Sequence, residues 1–390
     1  MNSSRALMDA LLRGGSFDRV GLIEYLWDDT LARWVRQGYP TRRVYKVAGQ
    51  ERWRAEDGKW VDAEISGEYI EPVPPWLHFG FDMVGLGPWL DAMPLRGHDE
   101  LIVETDEWEV RRNGAGASFK FWKHKMGTPE HMDFRMTSRA VWGRDYRPHL
   151  LELDPARLHL EDLCENMIEP ATAGAWTFYG NIFVWELMRS SMGDITLYES
   201  LLLDPAWIHD YNQVYTDFFK RHFDAIFAQA GKPDGIWLYE DLGYKNGLFA
   251  SPKVLEQLIF PYYREIVEYF HGYDLPVVLH SCGSQAQALP LIVEAGFDGL
   301  NPMERKARDN DPCAFADRYA GQLVFIGGLD VRILESNDRK LVSREVGHYI
   351  DAMKARGARL VFASDHSIPP TVQYDTYRCA LDAYREHMWY

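Results

Sequence analysis

The sequence predicts an α/β protein built on a (β/α)8 TIM barrel, with a β-rich elaboration towards its N-terminal end. From about residue 160 onward, short apolar runs of strand length alternate with longer helix-length segments, the pattern of a parallel sheet covered by helices. The length, 390 residues, is long for one compact core and ordinary for such a barrel with insertions. The predicted strands of the C-terminal half also end in residues with chemistry, and a barrel brings such ends to one face.

Residues 4–13 read as an amphipathic helix ended by Gly14-Gly15; the acid inside it, Asp9, argues against a secretory signal. Residues 19–25 are the first strand candidate, and the helix after them stops at Gly38-Tyr39-Pro40. The stretch 41–135 breaks the alternation. Residues 44–47, 59–65, 69–73, 101–104, 107–112 and 118–122 have strand composition, and Glu56-Asp57-Gly58 and Asn113-Gly114 are turn signals. This stretch is expected to be a lid or wall inserted within a single domain spanning 1–390. Further strands are predicted at 235–239, 276–279, 299–300, 323–326 and 360–363. Helices are predicted at 252–270, 284–295, 344–355 with Ser343 as its cap, and 372–387.

Composition narrows the partners. The formal net charge of -16 repels nucleic-acid phosphates and anionic membranes, and no apolar run approaches a membrane span. Four cysteines, Cys164, Cys282, Cys313 and Cys379, lie too far apart for a disulfide scaffold, so reduced thiols in a cytoplasmic protein are expected. The 14 Trp, 21 Tyr and 19 Phe are enough to fill a core and also line a pocket.

The strand ends carry the chemistry. They are Glu240-Asp241, His280 with Cys282, Asn301 with Glu304, Asp330, and Asp365-His366. Imidazole and thiolate are preferred zinc ligands, so His280 and Cys282 at one strand end point to a metal site facing a cleft. A buried thiol and a satisfied core histidine would produce the same pair. Helix capping accounts for Asp330, but poorly for His280, Cys282 and His366. Tyr239 offers a hydroxyl near the mouth. There is no Walker motif, no dinucleotide fingerprint after a strand and no Gly-x-Ser-x-Gly elbow.

Several segments resemble the uroporphyrinogen decarboxylase (URO-D) superfamily. They are His280-Ser281-Cys282-Gly283, Glu294-Ala295-Gly296-Phe297-Asp298-Gly299-Leu300-Asn301-Pro302, Phe325-Ile326-Gly327-Gly328-Leu329-Asp330 and Ser364-Asp365-His366-Ser367-Ile368-Pro369-Pro370. Phe17-Asp18-Arg19-Val20 and Gly174-Ala175-Trp176-Thr177 resemble two further family segments. The resemblance implies a (β/α)8 barrel. The family's true decarboxylases hold substrate carboxylates with an Arg-Gln-Ala-Gly-Arg-Tyr segment after the first strand. Here that place holds Glu24-Tyr25-Leu26-Trp27-Asp28-Asp29-Thr30, which disfavours a polycarboxylate.

The likeness is closer to the family's zinc methyltransferases, which work with corrinoid proteins through a His-x-Cys motif and a distant third cysteine. His280 and Cys282 match the pair, His366 stands where the third ligand falls, and Glu240 or Asp241 is an alternative. The resemblance implies transfer of a methyl group from a small methoxylated or methylated donor to a corrinoid (cobalamin). The chain lacks the Asp-x-His-x-x-Gly corrinoid motif, so that cofactor is expected on a separate protein. Glu304 and Asp330 are expected to orient ligands or substrate, and a homodimer is compatible with the sequence. The competing readings are a metal-free lyase or decarboxylase acting through His366 and Asp330, and a non-catalytic binding protein.

Overall fold

A computed structural model of the chain describes residues 3–54, 60–87, 90–124 and 127–390. Eight strands form one sheet in which every ladder is parallel. They are β1 (Gly21–Leu22), β2 (Met83–Leu86), β3 (Trp176–Ile182), β4 (Gly235–Tyr239), β5 (Val277–His280), β6 (Gly299–Asn301), β7 (Val324–Ile326) and β8 (Arg359–Phe362). Their order is β1-β8-β7-β6-β5-β4-β3-β2, a (β/α)8 barrel in which, among the described residues, the one unladdered junction lies between β1 and β2.

Asp82 closes that junction. Its N–H donates to Leu22 O at 2.7 Å, and its Oδ2 accepts from Leu22 N at 2.9 Å. Arg19 grips the same carboxylate with both Nη atoms, at 2.8 and 2.7 Å. Asp82 has no exposed surface, and the bidentate fork offsets the cost of burying its charge.

Side chains alternate along the strands. Trp176 and Phe178 of β3, Trp237 of β4 and Val278 of β5 fill the barrel interior, whereas Tyr179, Ile236, Leu238, Val277 and Leu279 pack outward under the helices. The N-terminal end is plugged by the helix Ser4–Arg13, whose Leu7, Met8, Leu11 and Leu12 join the interior cluster. Arg359 ties this helix to β8 through Leu11 O at 2.8 Å.

Two antiparallel pieces flank β2. Thr41–Arg54 pairs with Trp60–Pro72 as a long ribbon, so the separately predicted strands 44–47, 59–65 and 69–73 merge; the turn Glu56-Asp57-Gly58 lies outside the described residues. Asp99–Glu104, Trp108–Asn113, Ala117–Trp122 and Glu130–Phe134 form a four-stranded sheet. Phe134 packs against Gly193 in the helix Val184–Leu203. The barrel strand β2 therefore falls inside the 41–135 stretch.

Other boundaries differ for local reasons. The helix predicted at 252–270 is two helices, Pro252–Leu258 and Phe260–Gly272, parting just before Pro261, which has no N–H to give. The helix predicted to start beyond Ser343 runs Arg339–Lys354, because the Asp338 carboxylate accepts from Lys340 N and Leu341 N at 3.0 and 3.2 Å. The first strand shrinks from 19–25 to Gly21–Leu22. Among the described residues no helix is long and apolar enough to cross a membrane.

Candidate metal centre

The barrel register brings three predicted residues into one row. Tyr239 is the ladder partner of His280, and His280 that of Asn301, so the last inward positions of β4, β5 and β6 are neighbours. The alternation continues past the strands. Asp241 and Cys282, two residues beyond Tyr239 and His280, share that face, whereas Glu240 points outward.

His280 Nε2, Cys282 Sγ and an Asp241 carboxylate oxygen all lie within 4.8 Å of one another. Sγ to Nε2 is 3.4 Å, and Nε2 to Asp241 Oδ1 is 3.8 Å. Around a tetrahedral zinc, N and S donors stand about 3.5 Å apart and N and O donors about 3.3 Å, so the Cys282–His280 separation fits and the Asp241 oxygen would have to move in by about 0.5 Å.

The imidazole is oriented for the task. Asn301 gives its amide N–H to Ile326 O at 3.1 Å and turns Oδ1 to His280 Nδ1 at 2.5 Å. An amide oxygen only accepts, so Nδ1 carries the proton and the Nε2 lone pair faces Cys282 and Asp241. Burial lowers the His280 pKa, chiefly by desolvation, which keeps the ring neutral. Burial first, then the Asp241 and Glu304 charges, hold the Cys282 thiol well above its ordinary value. A free thiol here is protonated, and a metal would have to displace that proton.

The loops bearing Asp241 and Cys282 are locked together. Cys282 N donates to Asp241 Oδ1 at 2.7 Å, and Leu242 N donates to Ser281 Oγ at 3.1 Å. Gly283 (φ 76°) passes so close to Gly243 that a Cβ would sit 2.4 Å from the Gly243 carbonyl carbon. Glu304 accepts from Gly283 N at 2.8 Å and pairs with Lys306 at 3.3 Å, so it fixes the turn beside Cys282.

The remaining predicted residues lie elsewhere. Glu240 is a helix cap, not a donor to the cluster. Its oxygens accept from Phe183 N, Trp185 N, Glu186 N and Tyr263 Oη at 2.7, 2.7, 3.2 and 2.6 Å. Burial pushes its carboxyl up to about 8 against those donors. Asp330 caps the helix Val331–Glu335 and pairs with Arg332 at 2.5 Å. His366 is outside the cluster; its Nδ1 donates to Ser367 O at 3.1 Å, and its ring centroid is 6.3 Å from that of Trp27. Asp365 is buried, accepting from Val331 N at 2.9 Å and Arg305 N at 2.7 Å. The Tyr239 ring lies 5.2 Å from the His280 ring, forming one wall. Sequence reasoning missed the roles of Asn301 as orienter and of Gly243; a strand-end asparagine beside the strand-end histidine was the available signal for the first.

A parallel eight-stranded barrel with soft donors at the carboxyl ends of its strands is the architecture of a barrel enzyme, with its chemistry at the mouth. The chain belongs to the uroporphyrinogen decarboxylase (URO-D) family, whose sequence profile matches residues 185–387. Among solved structures it is similar to a methyltransferase from Methanosarcina mazei, at 13% identity and a TM-score of 0.61, over 99% of each chain. At that identity the likeness is one of fold. A weaker match is an L-ribulose 3-epimerase, at 14% identity and a TM-score of 0.37, over 59% of this chain and 74% of the other. No curated protein sequence matches the chain.

Proposed function

We propose that the protein is a zinc-dependent methyltransferase that moves a methyl group from a small methoxylated or methylated donor to a corrinoid on a separate protein. The carrying observation is the Asp241–His280–Cys282 cluster at the barrel mouth, with the His280 lone pair aimed into it. The whole-length likeness to a methyltransferase fold supports the same reading.

Asp241, His280 and Cys282 would hold the metal, which supplies Lewis acidity at the leaving atom and an open fourth position for the donor. The chain does the rest. Asn301 keeps the His280 proton on Nδ1, and the Gly243–Gly283 contact holds the two donor loops in register. Tyr239 packs its ring beside that of His280. Cytoplasmic location and a corrinoid protein as partner belong to the same proposal.

The metal-free lyase reading asks Asp330 to orient His366. Asp330 is engaged instead with Arg332, and Glu24 occupies the place of carboxylate-binding arginines.

Two measurements test the proposal. Purified protein should hold one zinc per chain, and Cys282→Ser should lose it. Under anaerobic conditions, cob(I)alamin should become methylcobalamin with at least one member of a panel of methoxyarenes, methylamines and methyl thioethers. A wild type that takes up no zinc on reconstitution, or that methylates nothing in either direction, overturns it.

A further inference from the structure

A cavity of about 250 Å³ lies between the short helix Pro75–Phe79 and the last helix, Tyr374–His387. It shares no residue with the metal cluster, and methyl transfer gives it no role. Its base is apolar. Phe79, Tyr374 and Leu381 line it and are buried, and the Phe79 and Tyr374 rings lie 6.3 Å apart.

Its rim is cationic. Arg378 and Arg385 are two helical turns apart and line the same cavity. Arg378 reaches Asp375 at 3.3 Å, but Asp375 also holds Arg339 at 2.9 Å. Arg385 reaches Asp382 at 2.9 Å. Three guanidiniums thus share two carboxylates, an excess of one positive charge in a chain of net charge -16.

His78, on the facing helix, registers that excess. Its Nε2 is 2.8 Å from Tyr374 Oη, which fixes the ring beside the last helix. Burial first, then the Arg378 and Arg385 charges, lower its pKa. Among the described residues no carboxylate counters the two guanidiniums at that ring.

An apolar base under a rim with surplus positive charge suits an anion that carries an apolar body. The volume falls just below that of pockets for drug-sized molecules, which matches a single ring with one charged substituent. Guanidinium forks match the paired oxygens of a carboxylate or phosphate. We propose that this cavity binds a small organic oxyanion, with Arg378, Arg385 and His78 around its carboxylate or phosphate head and Phe79 and Leu381 under its apolar body. The site stands independently of the methyl-transfer reading.

Phenyl phosphate, benzoate, benzyl alcohol and inorganic phosphate are the probes, tested on the full chain by calorimetry and ligand-observed NMR. At least one organic anion should bind with a Kd of about 1 mM or lower. The neutral alcohol and the bare phosphate should each bind at least about 10-fold more weakly. The tighter organic anion identifies the head group. Arg378→Gln and Arg385→Gln should each weaken its binding by about 10-fold with the thermal midpoint unchanged. Arg344→Gln removes the same charge from another helix and should leave the affinity within about 2-fold. The His78 titration, followed by its imidazole resonances, should move up with the anion bound, because a nearby negative charge favours the protonated ring. Binding of neither organic anion, an alcohol or bare phosphate that binds equally well, or affinity that survives both cavity variants overturns the inference. So does an equal loss in Arg344→Gln, or a His78 titration that does not move.

Discussion

At the N-terminal end of the barrel, Leu7, Met8, Leu11 and Leu12 close the strands with apolar side chains, whereas at the other end the same strands finish in Tyr239, His280 and Asn301. Both ends use the inward face of each pleat. The difference lies in the segments that cover them. Below, a helix packs directly on the barrel interior and leaves no space. Above, loops carry polar groups past the last ladder bond and brace one another through backbone contacts such as Gly243 against Gly283. One end is built to exclude water and the other to hold donors that a metal can share.

That division makes substitutions at the two ends separable. Cys282→Ala is expected to abolish stoichiometric zinc while leaving the thermal midpoint of the metal-free protein nearly unchanged, by metal analysis and calorimetry. Leu11→Ala should do the opposite, lowering unfolding free energy by about 2–5 kcal/mol with zinc retained. If both variants lost both properties, the two ends would be one cooperative unit and the comparison would fail.

The seam offers the next largest effect. Asp82→Ala leaves Arg19 without its partner and removes an acceptor from Leu22 N. A loss of about 3–5 kcal/mol is expected in denaturant melts, because an uncompensated charge stays behind. At the mouth, Asn301→Ala frees the His280 ring to turn, and zinc affinity should fall by about 10- to 100-fold in competition with a chelator, with little change in stability.

The smallest effect is a pH dependence at Glu24. This carboxylate at the end of β1 accepts from Ser364 N at 3.0 Å and Ser364 Oγ at 2.9 Å. Burial pushes its carboxyl up to about 8, from an ordinary 4.5. The folded state therefore holds a proton that the unfolded chain releases in that window, and stability falls as pH rises through it. Glu24→Gln cannot ionise, so its stability relative to wild type should climb between about pH 5 and pH 8, by on the order of 1–3 kcal/mol. A flat difference across that range would remove the assignment.

Much of the barrel was legible in the sequence because strands β4 to β8 are short apolar runs with a helix between each pair. The strand β2 was not. Met83–Leu86 is four residues long and sits among antiparallel strands of similar composition, so only closure of the barrel identifies it. The His280–Cys282 pair was legible because both residues share one strand end. Glu240 and Asp241 are adjacent acids and equivalent to the eye, yet the pleat sends one to a helix N-terminus and the other to the cluster. The third donor and the Asn301 contact depend on distances between loops, which a linear pattern does not record.

The ladder between Gly21 and Val361 joins the first strand to the last across most of the chain. During synthesis the helix Ser4–Arg13 is made well before the β8 side chains it rests against, which lie far along the chain. At ordinary elongation rates its apolar face waits roughly 20–70 s for that partner. The floor of this barrel is thus completed only once β8 has been made.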